Sequence, residues 1–206
     1  MPHREREDTE SEYVEHYLGE YASVSSIVKE ALPFELVAVI GGIVSGVILS
    51  GMTDELEMIP GLIVIIPGVM GLRGNISSTL GSRLGSAIHM GLITKIDYKN
   101  KELTNNIIGS MILTIIISIF LGILGHYVSV ILGFGSAGLL ELVLISLLSG
   151  FFSGLILSFI SAYLAIGTFK FGFDPDNVVT PSIATIGDII SIIMIFIFAQ
   201  MVVSFL

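Results

Sequence analysis

The chain has 206 residues, of which 53% are hydrophobic and 13% charged, with a mean hydropathy of +0.93 and a formal net charge of -9. Soluble domains are usually about 25% charged, so this composition excludes an ordinary soluble protein and indicates an integral membrane protein. The absence of cysteine excludes disulfides, thiolate metal sites and a cysteine nucleophile.

The chain opens with an acidic tail, residues 1–31, ahead of a predicted membrane domain over residues 32–206. Thr9 and Glu12 have the spacing of a capping box. Tyrosines and valines then recur at helical spacing, which predicts an amphipathic cytoplasmic helix over residues 11–30. Its polar face is acidic and should avoid anionic lipid. The helix either packs on the membrane domain or gathers cations at a pore mouth.

Five segments are long enough to supply the about 20 apolar residues that a membrane span needs. They are residues 32–52, 59–93, 103–132, 138–167 and 180–206. The second is too long for one upright helix, so it is a long tilted helix or two half-helices with a break at Gly71 to Gly74. Six spans result if that break is a full turn.

The basic residues outside the spans support five crossings. They fall on alternate connections, in the tail, after the second span and after the fourth. The positive-inside rule then predicts a multi-pass protein of the cell membrane with a cytoplasmic N-terminus and an external C-terminus. Residues 59–93 therefore cross once, whether broken or not.

A carboxylate lies within the last predicted span. Asp188 follows Thr180 and Ala184 at intervals of four residues, so the three share one helix face. An unpaired carboxylate in hydrocarbon would take up a proton, and it stays charged only beside water, a cation or a basic group. Ionisable residues within spans usually mark a transport path. The hydroxyl, carbonyl and carboxylate predict a ladder of oxygens on this face.

Polar residues also precede this span, in FGFDPDNVVTPS. Asp174, Asp176 and Asn177 are typical of the start of a helix, with Pro181 in its first turn. The same residues would place oxygens at the cytoplasmic mouth of a pore. Both interpretations remain open.

The second span contains GLRGN at membrane depth. Gly71 and Gly74 permit close helix approach, and Asn75 offers an amide oxygen. One interpretation is helix packing, with Arg73 and Arg83 either pairing with acidic groups elsewhere or reaching toward headgroups. The other is a polar break, which is tolerated where protein or a water-filled cavity covers it. The oxygen ladder on the last span favours a cavity shared by the two segments.

The candidate ligands are carboxylate, amide, hydroxyl and carbonyl oxygens, without sulfur or imidazole. Such ligands suit hard cations, magnesium above all, then calcium or manganese. One aspartate per chain predicts a homodimer with Asp188 near its two-fold axis, because that arrangement supplies two carboxylates. Besides the second copy and the bilayer, we expect no nucleic-acid partner and no small-molecule substrate other than metal ions.

Two stretches in this order resemble a known family. PGLIVIIPGVMGLRGNISSTLGSRL resembles the proline-containing second helix of the MgtE magnesium channels and of solute carrier family 41, which ends in a Gly-Asn element. DPDNVVTPSIATIGDII resembles their last helix, whose aspartate lies at the ion site. The resemblance covers residues 32–206.

The resemblance implies an all-α fold of five transmembrane helices, and a homodimer whose pore is lined at the interface by the second and fifth helices. It implies a hydrated magnesium ion held mainly by Asp188, with the carbonyl of Ala184, a polar side chain at Thr180 and the Gly-Asn asparagine at Asn75. We see no segment resembling the large regulatory domains of MgtE proteins. Animal family 41 carriers fuse two membrane domains where this sequence has one.

Three rival interpretations remain. In a sodium- or proton-coupled exchanger, Asp188 would alternate between protonated and metal-bound forms. Intramembrane aspartyl proteases need two aspartates and lipid phosphotransferases need a cluster of them, so we expect no enzyme. A non-conducting scaffold predicts that Asp188→Asn changes assembly and nothing else.

Overall fold

A computed structural model describes residues 24–171 and 175–204, whose regular secondary structure is entirely helical. The helices are α1 (Val24–Ser50), α2 (Thr53–Met58), α3 (Leu62–His89), α4 (Lys101–Ile131), α5 (Leu139–Lys170) and α6 (Pro175–Val203). The predicted all-α class is confirmed. The start of α4 illustrates how the sequence sets these bounds. The Asn100 side chain caps its first turn by accepting from the backbone N–H groups of Glu102 and Leu103.

The chain divides into two compact units, residues 1–37 and residues 38–206. The predicted tail helix over residues 11–30 lies mostly outside the described residues. That helix and the predicted domain boundary after residue 31 stay predictions. The helices that position the candidate site all belong to the second unit.

Four described helical segments are long and apolar enough to cross a bilayer. They are Leu62–His89, Lys101–Ile131, Leu139–Lys170 and Val178–Val203. They correspond to the second to fifth predicted spans. The first predicted span falls within α1, for which the described residues give the apolar segment Glu35–Ser50, not counted among these four. The count of five therefore stays a prediction.

The predicted break in the second span is wrong, because α3 is one continuous helix through Gly71 and Gly74. A glycine in a helix keeps its backbone hydrogen bonds and costs about 1 kcal/mol relative to alanine. A turn at membrane depth would leave several backbone groups without partners, each costing several kcal/mol. A continuous helix therefore has a lower free energy than a broken one, and the alternative of one long helix holds.

The start of the last helix also differs from the prediction. We expected Pro181 in the first turn of a helix beginning near Thr180. The helix begins at Pro175 instead, which takes the first-turn position that suits proline. Pro181 consequently lies inside α6, where its missing N–H leaves a backbone carbonyl one turn earlier without its usual donor.

The second unit has apolar cores at both ends and a polar layer between them. One core includes Ile65 and Ile195, and the other includes Leu84 and Ile183. Between them lie buried polar side chains near the middle of the four long helices: Arg73, Ser77, Thr114, Ser118, Ser149, Ser153 and Ser191. The polar layer is therefore at the depth expected for the centre of a bilayer.

Candidate cation site

The two helices predicted to line the ion path, α3 and α6, pack directly against each other. Small residues permit this approach. A Cβ added to Gly187 would lie 3.6 Å from the Cβ of Arg73, and a Cβ added to Gly81 would lie 2.7 Å from Val179 Cγ1. The contacts run in opposite directions along the two helices, so α3 and α6 are antiparallel neighbours.

A side chain that the sequence analysis did not single out joins these helices. Ser78 Oγ donates to the backbone carbonyl oxygen of Thr180 at 3.4 Å. Its spacing in the sequence could have identified it, because Ser78 lies three residues after Asn75 and so on the same side of α3. Thr180, a predicted ligand on α6, is thus in contact with α3, the other helix that was predicted to line the pore.

Asp188 lies next to Gly187 near mid-depth in the bundle and is half-buried. Within the described part of the chain, it forms no hydrogen bond, ion pair or ring contact. Ala184 and Thr180 are also half-buried, at four-residue intervals along α6. The three predicted ligands therefore form a partly open face of α6, with the free carboxylate at the end nearest the middle of the helix.

The remaining predicted residues are not gathered around this carboxylate. Asn75 is exposed and lines a groove between α3 and α4. Asp174 lies outside the described residues, and so do the side chains of Asp176 and Asn177. Within the described residues, no cluster of three or more histidine, cysteine, aspartate or glutamate side chains could hold a metal ion.

Arg73 occupies the centre of the polar layer, with its guanidinium against α4 and α5. Its side chain is fully buried, and Nη2 donates to Thr114 Oγ1 at 3.0 Å. Its Nε and Nη1 atoms have no hydrogen-bond partner. Gly154 makes room for the guanidinium, because a Cβ there would overlap Nη1. The sequence interpretation of Arg73 as a residue reaching toward headgroups is wrong, since it points inward between α4 and α5.

A second carboxylate lies at the opposite end of α6 from Pro175. Glu55 in the short helix α2 is 7% exposed, and its Oε1 accepts a hydrogen bond from Gln200 Nε2 at 3.0 Å. This contact holds α2 against the end of α6. Glu55 lies between the first two predicted spans, and the sequence gives no signal for its burial, because its partner is 145 residues away.

These residues offer an incoming cation one free carboxylate, with carbonyl and hydroxyl oxygens on the same face. That set is too small to strip a divalent ion of its water. It suits magnesium, which dehydrates reluctantly and is often held by one or two carboxylates with several waters retained. The set lacks the sulfur and imidazole that transition metals favour.

Comparison with known proteins agrees with this chemistry. A family model described as MgtE, divalent cation transporter, matches residues 66–198. Solute carrier family 41 member 2 of Xenopus laevis is 31% identical over 179 residues, which cover 83% of this chain and 31% of that protein. The human member 2 is 31% identical over 78% of this chain, and rat member 3 is 29% identical over 64%.

The chain spans about a third of the length of these curated relatives. The family model covers the greater part of this chain, from α3 to α6, including Asn75 and Asp188. Together with the four apolar helices, it identifies a multi-pass membrane protein. The predicted resemblance is confirmed, and the chain belongs to the MgtE family of divalent cation transporters.

Proposed function

We propose that this chain transports magnesium across the membrane as a homodimer, with Asp188 as the main ligand of the ion. The observation that carries the proposal is the position of Asp188. Its carboxylate lies near the middle of a membrane-spanning helix, half-buried and without a partner in the described residues. Such a group is costly in a membrane unless water or a cation compensates it.

The arrangement of the subunit supports a path on its surface. Apolar cores fill both ends of the bundle, and the middle holds the fully buried, positively charged Arg73. A cation would meet repulsion there. The face with Asp188, by contrast, is partly open. A second copy facing it would complete the wall and bring a second carboxylate to the ion.

In this dimer, α3 and α6 of both copies line the path. Magnesium keeps most of its water and is positioned by the two Asp188 carboxylates. The Ala184 carbonyl and the Thr180 side chain hydrogen-bond to the retained water, with Asn75 on the neighbouring side of α3. Asp174, Asp176 and Asn177 stand at the cytoplasmic mouth, and the N-terminus is cytoplasmic.

The test is magnesium entry into proteoliposomes, comparing wild type with Asp188→Asn. We expect the substitution to lower entry at least about tenfold, which corresponds to about 1.4 kcal/mol of lost ion stabilisation. The matched control is Asp97→Asn, in the loop before α4, where the asparagine oxygen can still accept from Lys99 N. Equal entry in wild type and Asp188→Asn would reject Asp188 as the ligand.

The same assay separates a channel from the alternative, a sodium- or proton-coupled exchanger. Entry that follows the magnesium gradient alone supports a pore. Entry that requires an opposing sodium or proton gradient supports the exchanger, in which the unpaired Asp188 carboxylate would bind the coupling ion in turn.

A further inference from the structure

A groove between α3 and α4 contains polar residues, besides Asn75, that the proposed cation path does not use. It is a cavity of about 440 Å³, within the range of small-molecule sites. Asn75 borders it, and its polar end is formed by Thr79, Arg83 and Asn105. Arg83 lies about 9 Å before the end of α3 and Asn105 about 6 Å after the start of α4, at 1.5 Å per residue. This end is therefore near the membrane interface.

The polar end of the groove is rich in unused hydrogen-bond donors. Thr79, Arg83 and Asn105 are exposed and form no hydrogen bond or ion pair with any described residue. No carboxylate of a described residue lines the groove. The nearest along α4, Glu102, already accepts from Asn106 Nδ2 through Oε1. The guanidinium at this end therefore has no counter-charge from the described residues.

The remainder of the groove is apolar. Ile76 and Leu113 line it, and Leu113 is 53% exposed. At Gly109 an added Cβ would meet nothing within 4 Å, so the floor of the groove is open. A ligand that fits must combine an anionic group at one end with a hydrocarbon segment at the other.

These features exclude a metal ion, which the unpaired guanidinium would repel, and a free inorganic anion would leave the apolar wall uncovered. We propose that the groove binds an anionic phospholipid. The phosphate diester accepts hydrogen bonds from Arg83 and Asn105, and one acyl chain lies along Leu113. Lys95, Lys99 and Lys101 at the same end of the helices add attraction for an anionic headgroup.

The proposal is tested by native mass spectrometry of the protein purified in mild detergent with phosphatidylglycerol. We expect wild type to retain one phospholipid per subunit, and Arg83→Gln to retain at least about fivefold less. Gly109→Leu should give the same loss, because it fills the groove without removing a polar group. Lys170→Gln, which removes an exposed cation at the end of α5, is the matched control and should retain lipid as wild type does.

A second measurement identifies the ligand by the shift in thermal unfolding midpoint of wild type and Arg83→Gln. Phosphatidylglycerol should raise the midpoint of wild type only, and inorganic phosphate at the same concentration should raise neither. Equal lipid retention by wild type and Arg83→Gln would overturn the proposal. So would a rise in the wild-type midpoint with inorganic phosphate that equals the rise with phosphatidylglycerol. So would efficient cross-linking of two subunits through Thr79→Cys, since the groove would then be covered by a second copy.

Discussion

At the scale of single residues, two ionisable side chains at similar depth have opposite environments. Asp188 is half-buried and unpaired in the described part of the chain, whereas Arg73 is fully buried and hydrogen-bonded to Thr114. The first is open to an ion from outside the subunit. The second is enclosed and contributes a fixed positive charge to the polar layer. We expect the two residues to respond differently to mutation, Asp188 in transport and the Arg73 cluster in stability.

Replacing Thr114 by valine tests the structural role of this cluster. Valine keeps the shape of the side chain but removes the hydroxyl that accepts from Arg73 Nη2. The other two guanidinium nitrogens, Nε and Nη1, already lack partners. Leaving a buried donor unpaired costs about 1–3 kcal/mol. The thermal unfolding midpoint, followed by circular dichroism in detergent, should fall by roughly 2–12 °C. Thr94→Val, in an exposed loop, is the control, and an equal change in both variants would contradict the prediction.

At the scale of helices, the packing of α4 against α5 depends on small and hydroxylated residues. Ser110, Thr114, Ser118 and Gly122 recur every fourth residue along α4 and are buried. Ser146 Oγ donates to the carbonyl oxygen of Ser118 across the interface at 2.7 Å. In a membrane, where lipid is as apolar as leucine, close packing and such hydrogen bonds are what hold helices together.

Gly122 lies directly against the backbone of α5 at this interface, and its replacement by alanine tests the packing. The added Cβ would lie 2.9 Å from the carbonyl oxygen of Leu142, a backbone atom that cannot move aside without shifting the helix. We expect a loss of about 1–3 kcal/mol in unfolding free energy, measured by denaturant titration in detergent. Gly167→Ala on α5 meets nothing within 4 Å, so it should be neutral or stabilising by up to about 1 kcal/mol. A neutral Gly122→Ala would mean that the helices are not in close contact there.

At the scale of the whole molecule, two open glycines of α3 bear on the proposed dimer. Among the described residues, an added Cβ at Gly71 or Gly74 would meet nothing within 4 Å. These glycines therefore do not serve packing between the described helices of one chain. In the proposed dimer they let the partner approach the Asp188 face.

Gly71→Leu should leave the subunit folded but weaken the dimer. We expect the dimer dissociation constant, measured by subunit exchange in detergent, to rise at least about tenfold, with a parallel loss of magnesium entry. Gly167→Leu adds the same bulk at another open glycine and is the control. An unchanged dimer in Gly71→Leu would place the subunit interface on another face.

The absence of cysteine makes the membrane orientation directly measurable. Phe134, in the turn between α4 and α5, and Lys99, in the loop before α4, are both exposed. With the N-terminus in the cytoplasm, an impermeant maleimide should label Phe134→Cys on intact cells and Lys99→Cys only after permeabilisation. The reverse pattern would invert the proposed orientation. The cysteine-free parent gives the background.

The sequence predicted the general features of this protein well and its local geometry less well. Hydropathy located four of the segments that form membrane-length helices, because apolar length alone decides whether a helix can cross a bilayer. The GLRGN and TIGDII motifs led to the correct family. The break at Gly71 and Gly74 was wrong, because local flexibility is outweighed by the cost of unpaired backbone groups in a membrane.

What the sequence by itself determined was the class of protein, the positions of the long helices and the isolated carboxylate at Asp188. These follow from composition and from spacing along one helix. Only the tertiary structure decided that Arg73 is enclosed, that Ser78 contacts Thr180, and that Glu55 pairs with Gln200. Each of these depends on which helix faces which. That choice arises from packing between residues distant in the chain, and periodicity within one segment does not contain it.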